Sequence, residues 1–131
     1  MASLDSTTLL LTVAEPTRLR ILNCLAAAPL FVSDLQAVLD LPQPTVSRHL
    51  QVLRRAEIVR DTPIAQFVLY RLRRGSGPAA RLLTAILDAM HTDGELKAER
   101  DLAAARSRSH TDLRTLDTDP SLTAGRRPKS S

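Results

Sequence analysis

The hydrophobic and polar positions of this chain recur at helical spacing, most clearly in residues 41–55. Val46, Leu50 and Leu53 stand there at i, i+4 and i+7, which is the spacing of one buried helical stripe. The opposite side of the same helix is polar and carries Ser47, Arg48, Gln51 and Arg55. Hydroxyl, guanidinium and amide groups can hydrogen-bond to base edges and phosphates in a major groove. The stretch therefore predicts a helix that contacts DNA.

Three more helices are predicted before this one, at about residues 4–14, 17–27 and 33–39. Pro16 suits the start of the second helix, whose Arg18 and Arg20 point outward in the predicted pattern. Ser33 is a good N-cap for the short third helix. Residues 40–42 are predicted to form a tight turn before the polar-faced helix. Two short helices joined in this way are typical of a helix-turn-helix.

Two β-rich runs follow at residues 58–61 and 67–72, with turn residues 62–66 between them. A hairpin after a helix-turn-helix makes a wing, so we predict a mainly α fold with a small β-hairpin, a winged helix-turn-helix of order α-α-α-α-β-β-α. A long last helix is predicted from Ala79 to about Arg106, with Gly94 weakening or interrupting it. From Ser107 the chain is polar, which predicts one domain over residues 1–106 and a disordered tail over 107–131.

Composition and charge narrow the class of protein. The 131 residues suffice for one domain and a tail, and the aromatic residues are one Tyr and two Phe. A core of Leu, Ile, Val and Ala favours packed helices. The net charge of +4 is compatible with a polyanionic partner. A single cysteine, the lack of a membrane-spanning apolar run and the lack of a leader pattern predict a cytoplasmic protein with no membrane partner.

The chain resembles the ArsR/SmtB family of bacterial winged-helix repressors over about residues 9–106. The most specific segments are residues 14–22 (AEPTRLRIL) and 41–50 (LPQPTVSRHL), and residues 59–61 and 69–72 match the wing strands. The resemblance implies a homodimer built from the first and last helices, with two recognition helices in successive major grooves of a near-palindromic operator. The apolar stripe from Leu82 to Met90 independently favours a dimer, because so small a domain has too little surface to cover it.

Eight residues of the polar-faced helix are candidates for DNA contact: Gln43, Thr45, Ser47, Arg48, His49, Gln51, Arg54 and Arg55. Ser47, Arg48 and Gln51 are placed to read bases, whereas the two terminal arginines are better placed to hold phosphates. The two residues of the first turn could reach bases or phosphates beside the helix N-terminus. His49 lies nearer the apolar stripe, which favours a supporting place. An ordinary solvated helix face is the alternative interpretation of the same pattern.

The wing departs from the usual family pattern. The predicted tip, residues 62–66, has neither the arginines nor the glycine that are common there, and Glu57 occupies the position of a glycine that usually follows the recognition helix. Fewer charges at the tip mean fewer phosphate contacts. We therefore expect a weak contribution of the wing to DNA binding.

The sequence can be compared with two kinds of metal-sensing site. Members that sense soft metals carry a Cys-x-Cys pair at the start of the third helix. Phe31 and Ser33 occupy those two positions here, so that site is absent. Asp88, His91 and Asp93 on the last helix would suit Ni²⁺ or Zn²⁺. Their spacing departs from the family pattern and the second ligand pair is missing, so solvated helix charges are the favoured interpretation.

Other functions remain as alternatives. The regulator could take its signal from a partner protein, or the scaffold could be a protein-interaction module that does not read DNA. Cys24 is interpreted as a small core residue. We expect no enzyme, because the sequence has no nucleophile with a nearby base, no glycine-rich phosphate loop and no paired catalytic carboxylates.

Overall fold

The computed structural model describes the backbone of residues 5–118 and the side chains of residues 5–110. Its elements follow the chain as α1 (Ser6–Val13), α2 (Pro16–Ala27), β1 (Leu30–Phe31), α3 (Val32–Leu39), α4 (Gln43–Arg55), β2 (Val59–Ile64), β3 (Phe67–Leu72), α5 (Pro78–Ala89), a 3₁₀ turn (Met90–Thr92) and α6 (Gly94–Thr118). The predicted winged helix-turn-helix is confirmed, with differences at the start of α3, at β1, at the hairpin and in the last helix.

The start of α3 differs from the prediction that Ser33 is its N-cap. The helix begins at Val32, and the side chain that caps it is Asp34, whose Oδ2 accepts a hydrogen bond from the backbone N–H of Phe31 at 2.9 Å. A carboxylate is a stronger acceptor than a hydroxyl and favours a helix N-terminus. The carboxylate of Asp34 therefore caps the first helix of the helix-turn-helix, whose N-cap is Phe31, two residues before the predicted one.

A third strand, β1, completes the sheet and was not predicted. The strand order is β1-β3-β2 and both pairings are antiparallel, with Leu30 opposite Tyr70 and Phe31 opposite Leu69. Two residues are too few to show the alternation by which strands are recognised in a sequence. The strand joins the residues before α3 to the base of the wing.

The hairpin turn is shorter than predicted. It consists of Ala65 and Gln66 only, because residues 62–64 belong to β2, where Pro63 lies opposite Val68. The strand β2 is at the edge of the sheet, a place where proline is tolerated because its missing N–H breaks no bond to a further strand. Pro63 therefore stiffens the wing strand and not its tip.

The predicted last helix is divided into α5 and α6, which confirms the interruption expected at Gly94. Asp93 restarts the helix, since its Oδ1 accepts a hydrogen bond from the backbone N–H of Leu96 at 3.1 Å. Arg100 of α6 donates to the backbone carbonyl of His91, in the 3₁₀ turn, at 3.2 Å. It also donates to Oδ1 of Asn23, in α2, at 2.9 Å. These bonds fix the bend against α2.

The helix α6 extends past Arg106 to Thr118, so the chain is helical beyond the point at which the tail was predicted to start. Arg106 and His110 both contact Asp34 of α3, which gives this segment a docking surface. Polar composition alone did not reveal that surface. The remainder of the predicted tail, residues 119–131, lies outside the described residues.

Apolar side chains of the helices and the wing meet in one core around α2. Its largest fully buried apolar members are Leu9, Ile21, Leu22, Leu30, Leu35, Val46, Leu50, Leu53 and Ile58. Burying each such side chain contributes roughly 1.5–3 kcal/mol. Over the residues that the structure describes, no helix has both the length and the apolar character needed to cross a membrane.

Candidate nucleic-acid interface

The helix α4 is anchored by the apolar stripe that the sequence predicted. Val46, Leu50 and Leu53 have no solvent exposure, and they pack against α2, α3 and β2. Pro44 lies in the first turn, where its missing N–H removes no helical hydrogen bond. The core therefore holds one side of α4, and its other side faces outward.

The predicted contact residues occupy the outer side of α4 and its two edges. The exposed ones are Gln43, Arg48, Arg54 and Arg55, and the half-buried ones are Thr45, Ser47, His49 and Gln51. Among the described residues, Arg48 and Arg55 have neither a hydrogen-bond partner nor an ion-pair partner. Two such guanidiniums on one exposed face are suited to phosphates and to the O6 and N7 acceptors of guanine.

Hydrogen bonds within α4 arrange the remaining polar groups. Nε2 of Gln43 donates to Oγ of Ser47 at 2.6 Å, and Nη2 of Arg54 donates to Oε1 of Gln51 at 3.0 Å. Nε of Arg54 is also 3.8 Å from Oδ2 of Asp61 in β2. The polar face is thus partly ordered by its own contacts, and Arg54 links the helix to the wing.

His49 lies on the side of α4 that faces α2. Its Nδ1 accepts a hydrogen bond from Nε of Arg18 at 3.3 Å. Burial lowers the pKa of His49, and the charges of Arg18 and Arg48 lower it further, whereas Glu15 raises it. A neutral imidazole that accepts on Nδ1 agrees with the supporting place expected for this residue.

The wing carries exposed arginines at its strands and not at its tip. Arg60 and Arg71 are opposite each other on β2 and β3, and Arg73 forms an ion pair with Glu57. Glu57 has a φ of 64° and Ala65, in the hairpin turn, has a φ of 56°. Both positions are in the left-handed region that favours glycine, which explains why a glycine is usual after the recognition helix.

The candidate metal ligands on the last helix are not brought together within one chain. Nδ1 of His91 is 2.8 Å from the backbone carbonyl of Leu87, and Oδ1 of Asp93 is used as the cap of α6. Asp88 is exposed on the last turn of α5. Across the described part of the chain, no group of three or more His, Cys, Asp or Glu residues could hold a metal ion.

Sequence reasoning missed the roles of Arg18 and Arg20, which were predicted to point outward. Arg20 forms an ion pair with Glu99, with Nη2 and Oε2 2.5 Å apart, and so joins α2 to α6. Arg18 bonds to His49 and to the backbone carbonyl of Thr12. Helical spacing does not reveal such contacts, because a long arginine side chain can fold back along the surface.

Comparison with known proteins agrees with this geometry. Residues 15–61 match the family model described as "Bacterial regulatory protein, arsR family". The chain is 44% identical over 78 residues to the biofilm growth-associated repressor of Agrobacterium fabrum. The aligned residues are 60% of this chain and 65% of that repressor, so the chain spans just under two thirds of the repressor's length. It is 32% identical over 60 residues to the transcriptional repressor SdpR of Bacillus subtilis, over 46% of this chain and 67% of SdpR.

The fold is likewise similar to that of solved regulators. The crystal structure of the transcriptional repressor BigR from Xylella fastidiosa superimposes with a TM-score of 0.58 at 30% identity, over 67% of this chain and 85% of that one. The family-model match, residues 15–61, includes the helix-turn-helix formed by α3 and α4. The chain belongs to the arsR family of bacterial regulatory proteins and is a DNA-binding transcriptional regulator with a winged helix-turn-helix fold.

Proposed function

We propose that the chain is a repressor that binds a near-palindromic operator as a homodimer, with α4 of each subunit in a major groove. The observation that carries the proposal is the outer side of α4, where Arg48 and Arg55 are exposed and have no partner among the described residues. Repressor names among the relatives support the direction of regulation. The wing, with its arginines on the strands, would add phosphate contacts beside the recognition helix.

Apolar surface on α1 and α5 supports the dimer. Leu10 and Leu11 of α1 are 48% and 73% exposed, and Leu82 and Ile86 of α5 are only partly buried. The helices α1 and α5 are in contact, and we place the second subunit on the apolar side chains that they leave uncovered. A second subunit on this surface would bury it and would place two recognition helices about one turn of DNA apart. We expect the dimer to act on DNA in the bacterial cytoplasm, without catalytic activity.

Selection of DNA from a random-sequence library tests this function. The full chain is incubated with the library, bound duplexes are recovered over several rounds, and the enriched sequences are measured by mobility shift. We expect an inverted repeat whose half-sites are about 10 base pairs apart, bound by two chains in sedimentation analysis. Enrichment of no sequence over the starting library would contradict DNA reading, and a monomer on a single half-site would contradict the dimer.

A further inference from the structure

Arg18 connects three helices through one side chain. Its Nη1 donates to the backbone carbonyl of Thr12, in the last turn of α1, at 2.9 Å, and its Nε donates to Nδ1 of His49, in α4, at 3.3 Å. The backbone N–H of Arg18 donates to Oε1 of Glu15, the N-cap of α2, at 2.8 Å. The guanidinium therefore joins α4 to the end of α1.

The contact with α1 has a physical basis of its own. Carbonyl groups in the last turn of a helix lack a partner within that helix, and a cation there also interacts favourably with the helix dipole. The same helix exposes Leu10 and Leu11, which belong to the proposed dimer surface. Arg18 thus bridges the helix that would contact the partner subunit and the helix that would contact DNA.

The contact with α4 exists in only one protonation state of His49. Since Nε of arginine is a donor, Nδ1 of His49 must be unprotonated, and only the neutral ring offers that acceptor. The charged groups that act on His49 are the cations Arg18 and Arg48 and the carboxylate of Glu15. Protonation would remove the acceptor and would place a second positive charge against the guanidinium of Arg18.

We propose that Arg18 is a positioning residue that fixes the recognition helix relative to the dimer surface, and that protonation of His49 releases this contact. The inference rests on the proposed function, because it concerns how two recognition helices are held at the spacing of the operator. Loss of the contact should weaken binding to a selected duplex, which requires that spacing, more than binding to a random duplex, which depends on overall charge.

The test compares four full-length proteins: the wild type, Arg18→Gln, His49→Gln and the control Arg108→Gln, which removes one exposed charge on α6. Each is titrated against the duplex selected by the wild type and against a random duplex of the same length, at about pH 7.5 and about pH 5.5 and at constant ionic strength. Thermal midpoints of all four proteins are recorded under the same conditions.

We expect the wild type to bind the selected duplex more weakly at the lower pH, by up to about tenfold, in proportion to the fraction of His49 that is protonated there. This direction is opposite to the general effect of added positive charge, which strengthens DNA binding. His49→Gln, whose amide oxygen can accept the bond but cannot be protonated in this range, should lose the pH response, whatever its affinity at about pH 7.5. Arg18→Gln should bind the selected duplex about tenfold more weakly at both pH values. Arg108→Gln should follow the wild type.

The outcomes separate this inference from the proposed function. Failure of the wild type to enrich any duplex would overturn the proposed function itself. If the wild type binds its selected duplex and Arg18→Gln matches its affinity, the positioning role of Arg18 is overturned. If Arg18→Gln does not fold, the histidine variant decides, because a His49→Gln protein with the same pH response as the wild type excludes His49 as the acceptor that matters.

Discussion

The carboxylate of Asp34, at the start of α3, accepts a hydrogen bond from Nε2 of His110 on α6 at 2.7 Å. The same oxygen accepts from Nε of Arg106 at 2.8 Å, while the other oxygen caps α3. The side chain of Asp34 has no solvent exposure, and the rings of Phe31 and His110 stand edge to face, 5.3 Å apart. The helix α6 is therefore held to the beginning of the helix-turn-helix by one buried charge.

Asp34→Asn should destabilise the fold. The amide keeps the shape of the side chain and loses the charge that receives three donors, so we expect a loss of about 1–3 kcal/mol in the free energy of unfolding. Urea denaturation at neutral pH measures this loss. Lys97→Gln, which breaks the exposed pair with Asp101, is the control and should change the stability by less than about 1 kcal/mol. Equal stability of the Asp34 variant and the wild type would show that the cluster contributes nothing.

The stability that Asp34 contributes should depend on pH in the acid range. Burial raises the pKa of Asp34, but the bonds from His110, Arg106 and the N–H of Phe31 outweigh it and leave the pKa below its ordinary value of 3.8. The unfolded chain then takes up this proton at a higher pH than the folded chain. The contribution is complete above pH 3.8 and is lost as the pH falls through the folded-state pKa. The difference in urea stability between the wild type and Asp34→Asn should accordingly shrink in acid, and a difference that grew there would refute the assignment.

Arg48→Ala should weaken DNA binding and leave the fold intact. The side chain is exposed on the outer face of α4 and makes no hydrogen bond to another residue that the structure describes. A lost contact of this kind costs about 1–3 kcal/mol, or roughly tenfold or more in affinity. Mobility shift with the selected duplex measures this, and Arg108→Ala serves as a control for lost charge. Retention of wild-type affinity would remove Arg48 from the reading face.

Glu57→Gly should be more stable than Glu57→Ala. Both changes remove the exposed ion pair with Arg73, so the difference between them isolates the backbone, which has a φ of 64° at this position. A side chain in the left-handed region costs about 1 kcal/mol, and glycine avoids that cost. Ala56→Gly is the control: the φ of Ala56 is −80°, which any residue adopts, so this variant should not gain stability. The urea midpoints of the three variants measure these differences in stability. A Glu57→Ala protein as stable as Glu57→Gly would exclude strain at this turn.

Cys24 should be unreactive in the folded protein. Burial raises the pKa of its thiol to about 12, with Glu99 raising it and Arg20 lowering it. Since the thiolate is the reactive form, alkylation by N-ethylmaleimide should be about a hundredfold or more slower in buffer than in denaturant. Mass spectrometry follows the single adduct. Rapid labelling of the native chain, or a change in DNA affinity on mild oxidation, would instead indicate a redox role.

Local sequence patterns determined much of this protein. The apolar stripe of Val46, Leu50 and Leu53 fixed α4 and its outer face, because a helix must bury a stripe of that spacing. The break at Gly94 and the unusual residue at Glu57 were also visible, since each departs from a strong backbone preference. The stripe, the helix break and the residue with positive φ each depend only on residues close by in the sequence.

Only the tertiary structure decided the contacts between residues far apart in the chain. The strand β1 exists because β3 lies beside it, and α6 continues past the predicted tail boundary as it docks on Asp34. Arg18 is predicted to be outward by spacing alone, yet it reaches both Thr12 and His49. The periodic pattern of apolar residues revealed the recognition helix in the sequence. The partner of a polar side chain leaves no such pattern, so the groups that hold this helix in place became visible only in the tertiary structure.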